Sequence, residues 1–146
     1  MSTVAERVRT RVDPSLTTAG LFVGDLVAIA TFVIIGEITH NIDPLANPGI
    51  VADTYVPFLV GWLVFALPAG VYGLAARTDI RQAVLSTVAA WTGGVVVAQA
   101  LRSTDLFHGS FAVTFAAVSL VVGGTFLLGW RALAVFLTTL GRQGRE

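Results

Sequence analysis

The sequence contains no cysteine and no lysine, and only 12% of its 146 residues are charged. Without cysteine the chain forms no disulfide and has no thiol nucleophile or thiolate metal site. Nine arginines balance nine acidic residues, so the net charge is zero and no general attraction to nucleic acid is expected. Soluble domains usually carry about 25% charged residues. The low charge content therefore excludes an ordinary soluble domain.

Apolar sequence takes the place of charge, since 55% of the residues are hydrophobic and the mean hydropathy is +0.80. Four apolar runs, joined by short polar connections, have about the 20 residues that a helix needs to cross hydrocarbon. We predict spans at about residues 17–39, 55–76, 83–102 and 111–131. The predicted fold class is all-α, an integral membrane bundle of four transmembrane helices within residues 16–140. Pro68 should kink the second span because it lacks a backbone donor.

Residues 1–15 and 141–146 lie outside the predicted bundle as a cytoplasmic or interfacial segment and a cytoplasmic tail. Val4, Val8 and Val12 recur every fourth residue, and arginines stand at positions 7, 9 and 11. This spacing is typical of a short amphipathic helix at the lipid headgroups. The alternative is a frayed tail that only supplies charge for membrane orientation. We favour the frayed tail because three valines make a weak anchor.

The arginines predict the orientation of the bundle. Eight of the nine lie before the first span, between the second and third, or from residue 131 onward, and only Arg102 lies on the other side. This excess places both termini in the cytoplasm of a multi-pass protein of the cell membrane. The lipid bilayer is the expected partner, and a homo-oligomer is possible. The pairs Gly93-Gly94 and Gly123-Gly124 are typical of helix-packing surfaces.

Asp25 is the unusual residue of the first span, LTTAGLFVGDLVAIATFVIIGEITH. It should lie about 12 Å inside the cytoplasmic end, where burying a charge is costly. The candidate polar neighbours at this depth are Tyr72, Ser86, Thr87 and Thr125, and no basic residue is expected there. Asp25 is therefore either part of a proton or cation site, protonated or ready to exchange a proton, or a neutral carboxyl that binds a neighbouring helix.

A second polar group is predicted at the opposite face. Glu37 and His40 share one face of the first helix, and Arg102, Asp105 and His108 follow the third span. Gln99 lies one turn below Arg102. We expect an ion pair between Glu37 and Arg102, which either serves a functional site or simply caps the bundle with charges that reach water.

Metal and enzyme chemistry receive little support. Glu37 and His40 form half of the Glu-x-x-His pair that di-iron bundles need, and no second copy occurs. His40 and His108 could ligate a metal or a haem, but no spacing favours this. The sequence has no Gly-rich phosphate loop and no Ser/His/Asp pattern. We therefore predict no cofactor and no metal, and an enzyme is less favoured than a non-enzyme.

The order of several motifs resembles a small prokaryotic family of uncharacterised four-span integral membrane proteins, over nearly the whole chain from about Leu16. The residues that carry it are Gly24, Asp25, Gly36, His40, Pro68, Gly70, Trp91, Gly94 and Arg102. The resemblance implies a fold and no activity. Small multidrug-resistance transporters also share four short spans, an acid in the first and a tryptophan in the third. The one-sided arginines disfavour the assembly of inverted pairs.

Three functions remain open from the sequence. The first is transport of a small solute or a proton-coupled ion, with Asp25 and Tyr72 inside the bundle and Glu37, His40 and Arg102 as the outer gate. The second is a structural or accessory membrane subunit that packs against itself or a partner. The third is a metal or haem binder at the outer face.

Overall fold

The computed structural model describes residues 3–145, with the backbone alone for residues 7–10. Its six helices are α1 Val4–Arg11, α2 Leu16–Thr39, α3 Pro48–Ala66, α4 Leu74–Thr78, α5 Ile80–Arg102 and α6 Val113–Gln143. The helices α2, α3, α5 and α6 are long and apolar enough to cross a membrane, and residues 3–145 contain no strand. This confirms the predicted all-α bundle of four such helices. The orientation of the termini stays a prediction.

Close backbone contacts hold the long helices together. A Cβ atom added at Gly61 of α3 would lie 2.2 Å from the carbonyl oxygen of Gly94 on α5, so only glycine allows this approach. On α6, a Cβ added at Gly123 would lie 2.4 Å from the indole of Trp91. The glycine pairs are therefore packing surfaces, as predicted.

The outer surface of the bundle is apolar. Large apolar side chains are 53–69% exposed on each of the four long helices. Examples are Val27 on α2, Val64 on α3, Leu85 on α5, and Val121 and Phe136 on α6. Water-soluble proteins rarely expose apolar surface on this scale. The surface instead suits contact with lipid, where helices satisfy their own backbone polar groups.

Specific residues begin and end the helices. The hydroxyl oxygen of Ser15 accepts a hydrogen bond from the backbone N–H of Thr18 and starts α2. Asn41 follows α2 with φ +62°, and the N–H of Ile42 reaches back to the carbonyl of Glu37 at 2.9 Å. A residue in this left-handed conformation with a bond to the carbonyl five residues earlier is a Schellman motif. The polar loop predicted after His40 thus begins as expected.

The second span differs from its prediction. The helix α3 begins at Pro48 and ends at Ala66, whereas the predicted span covered residues 55–76. The early start follows from Pro48 at the first helical turn, where proline's fixed φ is favourable. The predicted kink at Pro68 is instead the end of the helix, since proline has no backbone N–H to continue the hydrogen bonds of the helix and Gly70, two residues later, adopts φ +75°.

The N-terminal segment is ordered against the bundle. The predicted frayed tail is wrong, because residues 4–11 form α1; the side chains of Arg7, Val8 and Arg9, on which the amphipathic pattern depends, lie outside the described residues. The N–H of Asp13 bonds to the carbonyl of Tyr72 at 3.0 Å. Arg77 forms an ion pair with Asp13 at 2.7 Å and donates to the hydroxyl of Ser15 at 2.6 Å. These bonds fix the segment to the connection between α3 and α5.

The helix α6 is one continuous element of 31 residues. At 1.5 Å per residue it is about 46 Å long, more than the roughly 30 Å of hydrocarbon. Residues Ser119–Gly123 form a π-helical turn within it, and the carbonyl of Ser119 accepts a hydrogen bond from the Trp91 indole at 2.9 Å. Such turns bend helices and occur frequently at functional sites.

Candidate functional site

A buried ion pair joins α2 to α6. The Nε atom of Arg131 donates to Oδ1 of Asp25 at 2.9 Å, and its Nη2 atom donates to Oδ2. The Asp25 side chain is 0% exposed and that of Arg131 is 1% exposed. Two parallel bonds of this kind match the planar guanidinium to the planar carboxylate, the strongest geometry for such a pair.

Two further side chains complete this inner network. The hydroxyl of Tyr72 donates to Oδ2 of Asp25 at 2.6 Å and accepts from the indole nitrogen of Trp62 at 3.0 Å. The guanidinium carbon of Arg131 also lies 5.2 Å from the centre of the Tyr72 ring. Each oxygen of Asp25 therefore has a donor, and the phenol is satisfied in both directions. We call Trp62, Tyr72, Asp25 and Arg131 the inner network.

The end of α3 positions two groups of this network. Gly70 adopts φ +75°, and the N–H of Val71 bonds to the carbonyl of Ala66 at 3.1 Å, which is a second Schellman motif. The chain then leaves the helix direction, so the carbonyl of Val71 is free to accept from Nη1 of Arg131 at 2.8 Å. Tyr72 follows immediately. Irregular backbone at this position is therefore covered by protein, as membrane proteins require.

Gly24 makes room for the α6 side of the network. A Cβ atom at this position would lie 2.0 Å from ring atoms of Trp130. The indole nitrogen of Trp130 is 3.4 Å from the carbonyl of Leu21, one turn before Asp25. Glycine beside the acid thus lets α6 approach closely enough for Arg131 to reach Asp25.

The expectation that no basic residue accompanies Asp25 is wrong. Arg131 was counted among the cytoplasmic arginines that close the fourth span, and its side chain instead lies inside the bundle at 1% exposure. The usable signal was the apolar run ALAVFLTTL that continues for nine residues after Arg131 and places it within a helix. Removing Arg131 from the orientation count leaves seven arginines against one, so the predicted orientation is unaffected. Tyr72 was expected near Asp25, and the structure brings the two together.

A layer of aromatic rings lies next to the inner network. Phe32, Phe58 and Trp91 are in mutual contact, with ring centres 5.4–6.1 Å apart, and Phe115 lies 5.9 Å from Phe58. Phe32 is about 10 Å along α2 from Asp25, since seven residues separate them. We call these four rings the aromatic layer. It separates the inner network from the end of the bundle that carries Glu37.

At that end, a hydroxyl lies between the predicted ion-pair partners. Thr54 of α3 donates to Oε1 of Glu37 at 2.6 Å, and Nη1 of Arg102 lies 3.5 Å from the same hydroxyl. Among the described side chains, the ion pairs within 4.0 Å are Asp25–Arg131 and Asp13–Arg77, so Glu37 and Arg102 are connected through Thr54. The Arg102 guanidinium also lies 4.7 Å from the centre of the Phe115 ring. We call Glu37, Thr54 and Arg102 the Glu37 cluster.

A cavity of about 250 Å³ opens beside this cluster. Its polar wall contains Glu37, His40 and Thr54, and Phe32 and Phe115 of the aromatic layer form part of its apolar wall. The helices α2 and α6 contact each other near the inner network, and the cavity separates them at the Glu37 end. A small polar solute could therefore reach a buried carboxylate and hydroxyl there.

The remaining candidates do not join either group. Ser86 and Thr125 donate to carbonyls of their own helices, and Asp105 and His108 are exposed in the connection after α5. His108 is not part of the cavity wall that contains His40. Within the part of the chain that the structure describes, no three acidic or histidine side chains are grouped to hold a metal ion.

Comparison with known protein families assigns the chain to one of them. The family model described as Protein of unknown function (DUF3054) matches residues 22–134. The chain belongs to this family. The match confirms the predicted resemblance, and it contains both the inner network and the Glu37 cluster, whereas α1 and Asp13 precede it. Searches of curated proteins and of solved structures found no match.

Proposed function

We propose that the protein is a multi-pass protein of the cell membrane that carries a small polar or cationic solute, which enters from the Glu37 end. The observation that supports this most is the cavity of about 250 Å³ with a carboxylate and a hydroxyl on its wall. Ligand sites in proteins are mostly apolar cavities with a few polar groups that fix orientation, and this cavity has that composition.

The inner network serves as the seal on the other side of the solute. The aromatic layer and the Asp25–Arg131 pair lie between the cavity and the Arg77 end, and both side chains of the pair are at most 1% exposed. In this proposal Asp25 is a gate residue that exchanges partners when the carrier opens. This replaces the sequence-based hypothesis of an unpaired carboxyl, because Arg131 now accompanies it.

Flux through proteoliposomes tests the proposal. Purified protein is reconstituted with an entrapped pH-sensitive dye, and uptake of labelled methylammonium is followed in parallel. We expect flux above that of protein-free liposomes, and Glu37→Gln should lower it at least about tenfold, since a carboxylate bond to a cation is worth roughly 1.5–3 kcal/mol. Asp105→Asn is the matched control, because this exposed acid lies in the connection after α5 and outside the cavity wall. Equal flux in Glu37→Gln and wild type would contradict the proposal.

A structural or accessory subunit is the second candidate, and the completeness of the inner network favours it. All side-chain polar atoms of Asp25 and Tyr72 are bonded to protein, as expected of a contact that only holds helices together. A stoichiometric membrane partner in mild-detergent purification, together with flux at the protein-free level, would support this candidate. The third hypothesis, a metal or haem binder, gains no support from the separate positions of His40 and His108.

A further inference from the structure

A groove runs along the outside of the bundle between α5 and α6. Two cavities of about 380 and 490 Å³ lie end to end and share Thr92 and Leu120 in their walls. Val96 and Val121 at its edge are 65% and 69% exposed, so the groove is open toward the surroundings of the bundle. It lies apart from the cavity beside Glu37 and plays no part in the proposed transport.

Two buried polar side chains in the groove wall have no partner. Gln99 is 4% exposed and Thr87 is 1% exposed. Among the residues that the structure describes, neither the amide oxygen and nitrogen of Gln99 nor the hydroxyl of Thr87 has a hydrogen-bond partner. A buried polar group left without a partner costs as much as a lost hydrogen bond, and more so away from water. Gln99, whose amide has both a donor and an acceptor without a partner, therefore calls for a ligand that carries hydrogen-bonding groups.

The dimensions of the groove fit one leaflet of a bilayer. Twelve residues of α5 separate Thr87 from Gln99, about 18 Å along the helix, and half of the hydrocarbon core is roughly 15 Å. Gln99 lies one turn before Arg102, the last residue of α5, and so at the depth where hydrocarbon meets the headgroups. The rest of the wall is almost entirely apolar. A second copy of the chain is less suitable, because the exposed side chains of its long helices are mostly apolar and offer few hydrogen-bonding groups to Gln99.

We propose that this groove binds a single membrane lipid, with an acyl chain along α5 and its ester and hydroxyl groups at Gln99. The Gln99 amide nitrogen donates to the ester carbonyl, and the amide oxygen accepts from a headgroup or glycerol hydroxyl. Thr87 lies in the wall at the other end of the groove, where the acyl chain packs against apolar side chains such as Val88 and Leu128. This inference rests on the membrane location in the proposed function and is independent of transport.

Photolabelling with a defined lipid tests the proposal. Protein in phosphatidylcholine nanodiscs receives a minor fraction of phosphatidylglycerol with a diazirine on one acyl chain, and adducts are mapped by mass spectrometry. We expect adducts concentrated at Thr92, Val96 and Leu120. Gln99→Leu should lower labelling there by roughly threefold to tenfold, the loss of one or two ordinary hydrogen bonds. Gln82→Leu is the matched control, because Gln82 is exposed on the same helix and outside the groove.

A second variant separates loss of binding from loss of folding. Val96→Trp fills the groove from an exposed position and should remove the labelling, whereas Val84→Trp, on the same helix outside the groove wall, should not. Labelling that is unchanged in both groove variants, or adducts spread evenly over the bundle, would overturn the proposal. Lost flux with intact labelling would count against transport alone.

Discussion

The two polar regions of the bundle differ in how completely their hydrogen bonds are made. In the inner network both oxygens of Asp25 have donors, and Arg131 reaches the carboxylate and the Val71 carbonyl. In the Glu37 cluster the carboxylate receives one described hydrogen bond, from Thr54, and Arg102 makes a longer contact of 3.5 Å. An apolar cavity of about 680 Å³ borders Tyr72 of the first region, but neither Asp25 nor Arg131 lies in its wall. The second region borders a cavity of about 250 Å³ whose wall includes the carboxylate of Glu37 and the hydroxyl of Thr54.

This difference separates a closed seal from a binding site. Removing two charges from water is costly, and only good geometry with every remaining donor and acceptor satisfied offsets it. In the inner network every side-chain nitrogen and oxygen has a partner without a ligand. The Glu37 cluster leaves bonding capacity on its carboxylate beside an open space, so a solute can complete it. The two regions should therefore respond differently to the loss of a single polar group.

The largest effect is expected from Arg131→Leu. This change leaves Asp25 buried without its cation, and breaking a buried pair from one side costs about 3–5 kcal/mol. Thermal unfolding in detergent should show the loss, and Arg81→Leu, at an exposed position of α5, should change little. The double variant Asp25→Leu with Arg131→Leu should recover part of the stability, because no lone charge remains.

A small effect of Arg131→Leu would contradict the difference between the inner network and the Glu37 cluster. It would mean that water reaches Asp25, and the inner network would then resemble the Glu37 cluster instead of a dry seal.

Tyr72→Phe should have the next largest effect. The phenol hydroxyl is both a donor to Asp25 and the acceptor for the Trp62 indole. Its removal leaves the buried Trp62 N–H without an acceptor and takes one of the two donors from Oδ2 of Asp25, at about 1–3 kcal/mol. Tyr55→Phe is the matched control, since the Tyr55 hydroxyl donates to one backbone carbonyl, that of Leu26, and is only partly buried. The same unfolding measurement should show a clearly smaller loss for Tyr55→Phe. Equal losses would show that the inner network is no more than ordinary interhelical bonding.

Apolar length and turn-forming residues were enough to predict the bundle. The four spans follow from the charge-poor runs, and Asn41 ends α2 in the loop where helix-ending residues are dense. The bounds of the second span were not predictable in the same way. The apolar run continues past Pro68 to Ala76, so hydropathy alone does not show that the helix stops at Ala66.

The site was half predictable for a similar reason. Asp25 and Tyr72 were placed at one depth because each helix rises by a fixed distance per residue. Arg131 was missed because an arginine after a tryptophan and 20 apolar residues is typical of a membrane interface. Its true place depends on Gly24, which lets Trp130 and α6 approach α2, and such a close contact appears only in three dimensions.

A smaller change in stability is expected from Thr54→Val, which tests the Glu37 cluster in the same way. The substitution keeps the shape of the side chain and removes the hydroxyl between Glu37 and Arg102. Because the carboxylate borders a cavity, water can replace the lost bond, and the cost should stay below about 1 kcal/mol. Solute flux should fall more than stability does. A loss of stability as large as that of Tyr72→Phe would show that the Glu37 cluster is also a structural contact.

The smallest effect is expected from Asp13→Asn, which tests whether the N-terminal segment supports the inner network. The Asp13–Arg77 pair holds this segment beside Tyr72, but the two side chains are 36% and 14% exposed. Such partly exposed pairs contribute at most about 1 kcal/mol and are screened by salt. Unfolding measured at low and high salt should therefore show a small difference from wild type that disappears as salt rises. A large loss of stability that does not depend on salt would mean that the backbone bond between Asp13 and Tyr72 depends on this pair. The inner network would then depend on a segment that precedes the family match.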